Sequence, residues 1–165
     1  MRRSYASAGS SLFFLLAPGI VAGVVPGWLV GWRMRPLWAP VRFTGVVLIA
    51  AGLPILVDAF RRFALEGKGT PAPIAPTEQL VVGGPYRYVR NPMYLAVLAI
   101  IVGEAFLFGQ PSLLAYAAAM GAAAGAFVRW YEEPTLRRRY GAQYESYQRS
   151  VRAWWPRLRP WDSPR

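Results

Sequence analysis

Two short polar runs interrupt an otherwise apolar chain, and they hold most of the residues able to act on a ligand. The first is Tyr86-Arg87-Tyr88-Val89-Arg90-Asn91-Pro92-Met93-Tyr94. Asn91 is a good helix N-cap and Pro92 suits the first helical position, so a helix is expected to start here. Its orphan N–H groups and positive dipole end then lie beside Arg87 and Arg90, an arrangement that suits a carboxylate or phosphate. The same features also make an ordinary basic helix boundary. The second run is Arg129-Trp130-Tyr131-Glu132-Glu133-Pro134, with Arg137 a turn further on. Adjacent glutamates on a helix point about 100° apart, so one can face a bundle while the other faces its rim. They can equally pair with Arg129, Arg137 or Arg138. Between Arg90 and Arg129 the only charge is Glu104, roughly 20 Å along a helix that begins at Asn91. A carboxylate that deep in a bilayer costs on the order of 3 kcal/mol. It must face the bundle, be partnered or be protonated, and a substrate-pocket role and a structural one are both open.

The inventory excludes several chemistries. With no Cys and no His among 165 residues, there is no His–carboxylate or Cys–His dyad, no thiolate or imidazole metal site and no disulfide. Chemistry has to come from Arg, Asp, Glu, Tyr, Asn, Ser and backbone, or from a bound cofactor; no metal ligands are expected.

The elements that must position these runs read as membrane helices. The net charge is +11 and 55% of residues are hydrophobic, but the basic residues cluster between apolar stretches, which argues against nucleic acid. Four segments, roughly 11–31, 42–60, 92–109 and 112–131, approach the ~20 apolar residues needed to cross a bilayer. Arg2 and Arg3 before the first run raise the alternative of a cleavable signal peptide, which three further spans disfavour. Pro18 and Pro26 should kink the first helix. Of the 19 Lys and Arg, only Arg33, Arg35 and Arg42 fall on the side opposite the termini, which puts both termini in the cytoplasm. Asp58 is read as interfacial. Ala117, Gly121 and Gly125 carry the small-xxx-small spacing of close helix packing, within one bundle or a dimer. Pro71, Pro73 and Pro76 force an extended path, and Gly83-Gly84-Pro85 a turn. Leu136, Tyr140, Tyr144, Tyr147 and Val151 share an ~80° arc opposite Arg138, Arg149 and Arg152. That predicts one C-terminal amphipathic helix at the interface or over the bundle mouth. Trp154, Trp155 and Trp161 continue the anchor, or a basic tail attracted to anionic lipid. The expected fold is all-α and integral to the membrane, a single domain over 1–165 with about four transmembrane helices.

The run Gly84 to Tyr94 resembles the signature of the isoprenylcysteine carboxyl methyltransferase and phospholipid methyltransferase superfamily. So do Glu132-Glu133-Pro134-x-Leu136, Tyr140-Gly141-x-x-Tyr144-x-x-Tyr147, and Trp154-x-Pro156. Gly69-Thr70-Pro71 and Gly103-Glu104-Ala105 are similar to its bacterial members. The likeness covers about 66–158. It implies a membrane enzyme, in the bacterial inner membrane, that binds S-adenosylmethionine from the cytoplasm and a lipophilic acceptor, prenylated or otherwise, from the bilayer. Membrane lipids are the other expected partners, and oligomeric state is left open.

On that resemblance, Tyr86, Arg87, Arg90, Asn91, Tyr94, Glu132 and Glu133 would bind the cofactor. An Arg, Arg137 or Arg152, would orient an acceptor carboxylate, which needs positioning more than a general base. An amine acceptor would need Glu104 or Glu133 as base. Asn91 stands where many members have His, Ala96 where Gly is usual, and Ala153 where Arg is usual, with Arg152 beside it. Rival readings are a lipid amine methyltransferase, a sterol-reductase-like enzyme using NADPH, and a small membrane scaffold or transporter subunit in which Glu104 couples an ion.

Overall fold

The computed structural model describes residues 17–65 and 79–162, and no strand occurs among them. The Pro71–Pro76 path and the first residues of the leading apolar run lie outside the described residues. Helix α1 runs Ala17–Val30 and α2 Ala39–Leu65. A 3-10 turn follows at Gly84–Arg87, then α3 at Pro92–Phe108, α4 at Pro111–Phe127, α5 at Glu133–Tyr140 and α6 at Ala142–Ser150. A π turn, Val128–Glu132, joins α4 to α5 without a break. Two helices are long and apolar enough to cross a membrane, Ala39–Arg62 and the continuous Pro111–Tyr140; the described α1 and α3 are shorter.

The core forms where α2 and α3 pack along their length. Gly45 and Gly52 of α2 and Gly103 of α3 make this approach possible. A Cβ on Gly103 would lie 2.7 Å from the Gly45 carbonyl oxygen, and one on Gly45 2.6 Å from that of Gly103. The 117–121–125 stripe is less tightly used than its spacing predicts: Ala117 is buried, but a Cβ on Gly125 would meet nothing within 4 Å. Leu56, Ala96, Ile100, Ile101 and Ala117 form the central cluster.

Prolines shape the helices in a recurrent way. In α1 the kink expected from proline takes the form of a π turn at Ile20–Val24, two residues before Pro26. In α4–α5 the π turn ends two residues before Pro134. A helical proline lacks an N–H and clashes with the carbonyl four residues back, and widening the preceding turn to i→i+5 bonding relieves that clash. Pro54 sits inside α2.

The C-terminal amphipathic region is two helices, not one. Gly141 adopts φ 51°, ψ −127°, and the chain reverses there. The predicted apolar face survives the break, because Leu136, Tyr140, Tyr144, Tyr147 and Val151 still pack together, now with Leu80, Val82 and Trp161. Trp154 and Trp161 turn inward onto Tyr94 and Tyr147, while Trp155 is exposed.

Candidate active site

The two polar runs meet at one end of the bundle, around a cavity of about 420 Å³. That is within the range of small-molecule sites. Its polar wall carries Tyr86, Arg90, Asn91, Tyr94, Glu132 and Glu133, and its apolar arm Val21, Leu56, Phe60, Val97, Met120 and Phe127. From α4 through α5, residues 120, 127, 128, 131, 132, 135, 136 and 139 line it as one stripe of helical spacing. Tyr140, Tyr144 and Tyr147 close it from the C-terminal helices.

The neighbouring glutamates have different surroundings. Glu133 is buried and both its oxygens are engaged. Arg90 Nη1 donates to Oε1 at 2.7 Å and Gln148 Nε2 to Oε2 at 3.2 Å. Arg90 Nη1 also donates to the Tyr144 hydroxyl at 3.1 Å. Glu132 accepts the Tyr94 hydroxyl on Oε2 at 3.1 Å. Burial holds the hydroxyls of Tyr86, Tyr144 and Tyr147 above their usual range, so all three stay neutral. The Glu132 carboxylate adds to the effect at Tyr86.

Asn91 occupies the N-cap position of α3, but its side chain does not cap the helix. Its Nδ2 donates instead to the Ala153 carbonyl at 3.1 Å. The start of α3 therefore faces the cavity with its positive dipole end uncapped by Asn91.

Several predicted residues work elsewhere. Arg87 is outside the cavity lining: its Nε donates to the Trp161 carbonyl, and it pairs with Asp162. Arg152 has an exposed side chain and contributes through its carbonyl, which accepts the Arg90 N–H at 3.0 Å. Arg157 and Trp161 N–H groups bond the carbonyls of Tyr88 and Arg87 at 2.9 Å each. Residues 152–161 thus strap the first polar run down by backbone bonds, whatever side chain stands at Ala153. Arg137 is exposed and donates from Nε to Gln148 Oε1 at 3.0 Å, one bond removed from Glu133. Glu104 lies off the cavity, with Oε2 buried and unpaired among the described residues. Asp58 forms an i,i+4 ion pair with Arg62 at 3.1 Å.

Two contributors, Arg139 and Gln148, were not singled out from the sequence, and a third, Tyr144, has a contact that was not foreseen. Arg139 lines the cavity next to Tyr140. Gln148 braces Glu133, and no spacing rule marks it, since it reaches back across the Gly141 reversal. Tyr144 was read only as part of the apolar face, and its hydroxyl also accepts from Arg90.

The family model for phospholipid methyltransferases matches residues 41–143, a stretch that contains both polar runs and all but the first two residues of α2. No curated protein and no solved structure matches the chain. With well over half its length matched and both motifs at one cavity, the chain belongs to the phospholipid methyltransferase family, within the superfamily that includes the isoprenylcysteine carboxyl methyltransferases.

Proposed function

We propose that this protein is an integral membrane methyltransferase that uses S-adenosylmethionine to methylate a lipophilic acceptor of the isoprenylcysteine carboxylate type. The observation that carries the reading is the joining, in one cavity, of the Arg90–Asn91–Tyr94 run, the Glu132–Glu133 pair and an apolar arm. The proposal includes four crossings, with both termini and the cavity on the cytoplasmic side; two helices, Ala39–Arg62 and Pro111–Tyr140, are long and apolar enough for a crossing. Membrane lipids then surround the apolar faces of α2 and α4.

The residues present suit the methyl donor. Its carboxylate is matched by the uncapped start of α3 and by Arg90, whose Nε is buried without a partner among the described residues. Its cationic and hydroxyl groups are matched by Glu132, which spends one oxygen on Tyr94. Tyr86 and Tyr94 add aromatic surface. When bound, the donor supplies a methyl group already activated on a sulfonium. The chain holds the donor through Arg90, Asn91, Tyr94 and Glu132, excludes water with Tyr140, Tyr144 and Tyr147, and lays the acceptor tail along the apolar arm. Glu133 keeps Arg90 in place.

A carboxylate acceptor fits better than an amine, because an amine must lose a proton. Glu133 has no uncommitted oxygen, Glu104 is off the cavity, and Glu132 is assigned to the donor. The matched family's own description favours the second reading, transfer to a phospholipid amine. Isothermal calorimetry with S-adenosylhomocysteine on detergent-solubilised protein tests the donor site, and absence of binding at millimolar ligand rejects it. Radiolabelled methyl transfer then separates the acceptors: a base-labile ester on S-farnesyl-N-acetylcysteine supports the carboxylate, and label on phosphatidylethanolamine supports the amine.

A further inference from the structure

We infer that Tyr116 is the floor of the apolar arm and sets the length of acceptor chain that the cavity takes, an inference that rests on the lipophilic-acceptor reading above. The bridge that makes the floor originates at Pro26. In the π turn Ile20–Val24, the Val25 N–H bonds the Ile20 carbonyl. The Val21 carbonyl has therefore lost its α-helical donor, Val25, and its π-helical donor would be residue 26, a proline with no N–H. A carbonyl left without a backbone partner in an apolar interior must find a donor elsewhere. It finds the Tyr116 hydroxyl, which crosses from α4 and donates to the Val21 oxygen at 2.9 Å.

Val21 also lines the apolar arm, as does Met120, one helical turn above Tyr116. The Tyr116 side chain, not itself a lining residue, thus bridges α4 to α1 at Val21 and one turn from Met120, packed against the Leu56–Ala96–Ile100–Ala117 cluster. It is a stiff stop, because the ring is held at the backbone by α4 and at the hydroxyl by α1. Met120 is flexible and can yield to a chain; a tethered tyrosine cannot do so without breaking its bond. About 18 Å of helical rise separates Glu132 from Met120, so a donor at the polar wall leaves space for part of a chain, which must end at the tyrosine or turn out to lipid.

The test measures kcat/KM of full-length protein for S-geranyl-, S-farnesyl- and S-geranylgeranyl-N-acetylcysteine, with S-adenosylhomocysteine affinity as a check on the polar site. Tyr116→Ala should shift the ratio of the longest to the shortest acceptor upward by about tenfold or more, the scale on which a pocket discriminates a few methylenes. Its S-adenosylhomocysteine Kd should stay within about twofold. Tyr116→Leu, which keeps a packed apolar side chain, should move the ratio the same way by less, and Tyr116→Trp should move it down. Equal loss on all three acceptors, with the ratio unchanged, would mean that Tyr116 only holds α1 to α4 and would overturn the inference. If the unmodified protein binds S-adenosylhomocysteine but methylates no member of the series, the carboxylate-acceptor reading fails and the ruler fails with it.

Discussion

Arg90 is pinned from three directions. Its N–H is bonded to the Arg152 carbonyl, and its Nη1 to Glu133 and to Tyr144. With side chains only 11% and 10% exposed, Arg90 and Glu133 make a buried pair, and removing one partner of such a pair costs about 3–5 kcal/mol. Glu133→Ala should therefore lower thermal stability markedly in detergent and weaken S-adenosylhomocysteine binding as a consequence. Glu132→Ala should do the reverse: the melting temperature moves by a few degrees at most, while ligand affinity falls at least tenfold. A Glu132 variant that melts early and binds normally would reject this division between the two residues. Arg152→Ala should leave affinity within about twofold in calorimetry, because what Arg152 offers Arg90 is a carbonyl. The sequence shows both polar runs and the Glu-Glu pair, since residue type and order carry them. Which glutamate is braced depends on Gln148, which arrives through the chain reversal at Gly141 and leaves no mark in local spacing, whereas Tyr144 is visible in the apolar arc.

Among the elements, the hydropathy pattern was the reliable guide to helices, because lipid-facing and core-facing positions in α2, α3 and α4 are equally apolar. That same uniformity hides which faces touch. The small-residue stripe at 117, 121 and 125 stands out in an alanine-rich helix, yet the close contact is made by Gly45, Gly52 and Gly103. No two of those glycines stand at small-xxx-small spacing within a helix, and only the pairing of α2 with α3 brings them together. Adding a side chain at this seam forces two backbones apart, a kind of overpacking that costs typically about 1–3 kcal/mol. Gly103→Ala should lower the melting temperature of the solubilised protein, whereas Gly125→Ala, with open space around its Cβ, should leave it unchanged. Equal effects at the two sites would mean that α2 and α3 are not packed this closely. The kink expected at Pro26 takes the form of a π turn, whereas no kink was expected at Pro134, where the second π turn precedes the proline; proline alone does not distinguish a kink from a widened turn.

For the molecule as a whole, the exposed residues define the solvent. Phe43, Val46, Val47, Leu53, Ile55 and Val57 make an uncovered apolar face on α2, the kind of surface that marks contact with lipid or another apolar partner. Exposed tryptophans gather at both ends of the bundle. Trp28, Trp32 and Trp38 flank the α1–α2 connection, and Trp130 and Trp155 lie near the cavity. Two aromatic belts with hydrocarbon between them are the pattern of a chain held at two membrane–water interfaces. The positive-inside rule would then orient it by Arg33, Arg35 and Arg42, which among the described Lys and Arg are the ones at the belt remote from the cavity. That cluster is tied inward in part, since Arg42 Nη2 donates to the Arg35 carbonyl at 2.6 Å and the Arg35 N–H to the Phe108 carbonyl at 2.9 Å. A chain without cysteine is ready for a direct test of this orientation. Single cysteines at Ser112, in the first turn of α4, and at Ser150, ending α6, leave every hydrogen bond of the cavity wall intact. In whole cells a membrane-impermeant maleimide should label Ser112→Cys, and should label Ser150→Cys only after permeabilisation. The opposite pattern would place the cavity outside, away from a cytoplasmic supply of methyl donor. Labelling of both in intact cells would mean that the continuous Pro111–Tyr140 helix does not cross the bilayer between the two sites.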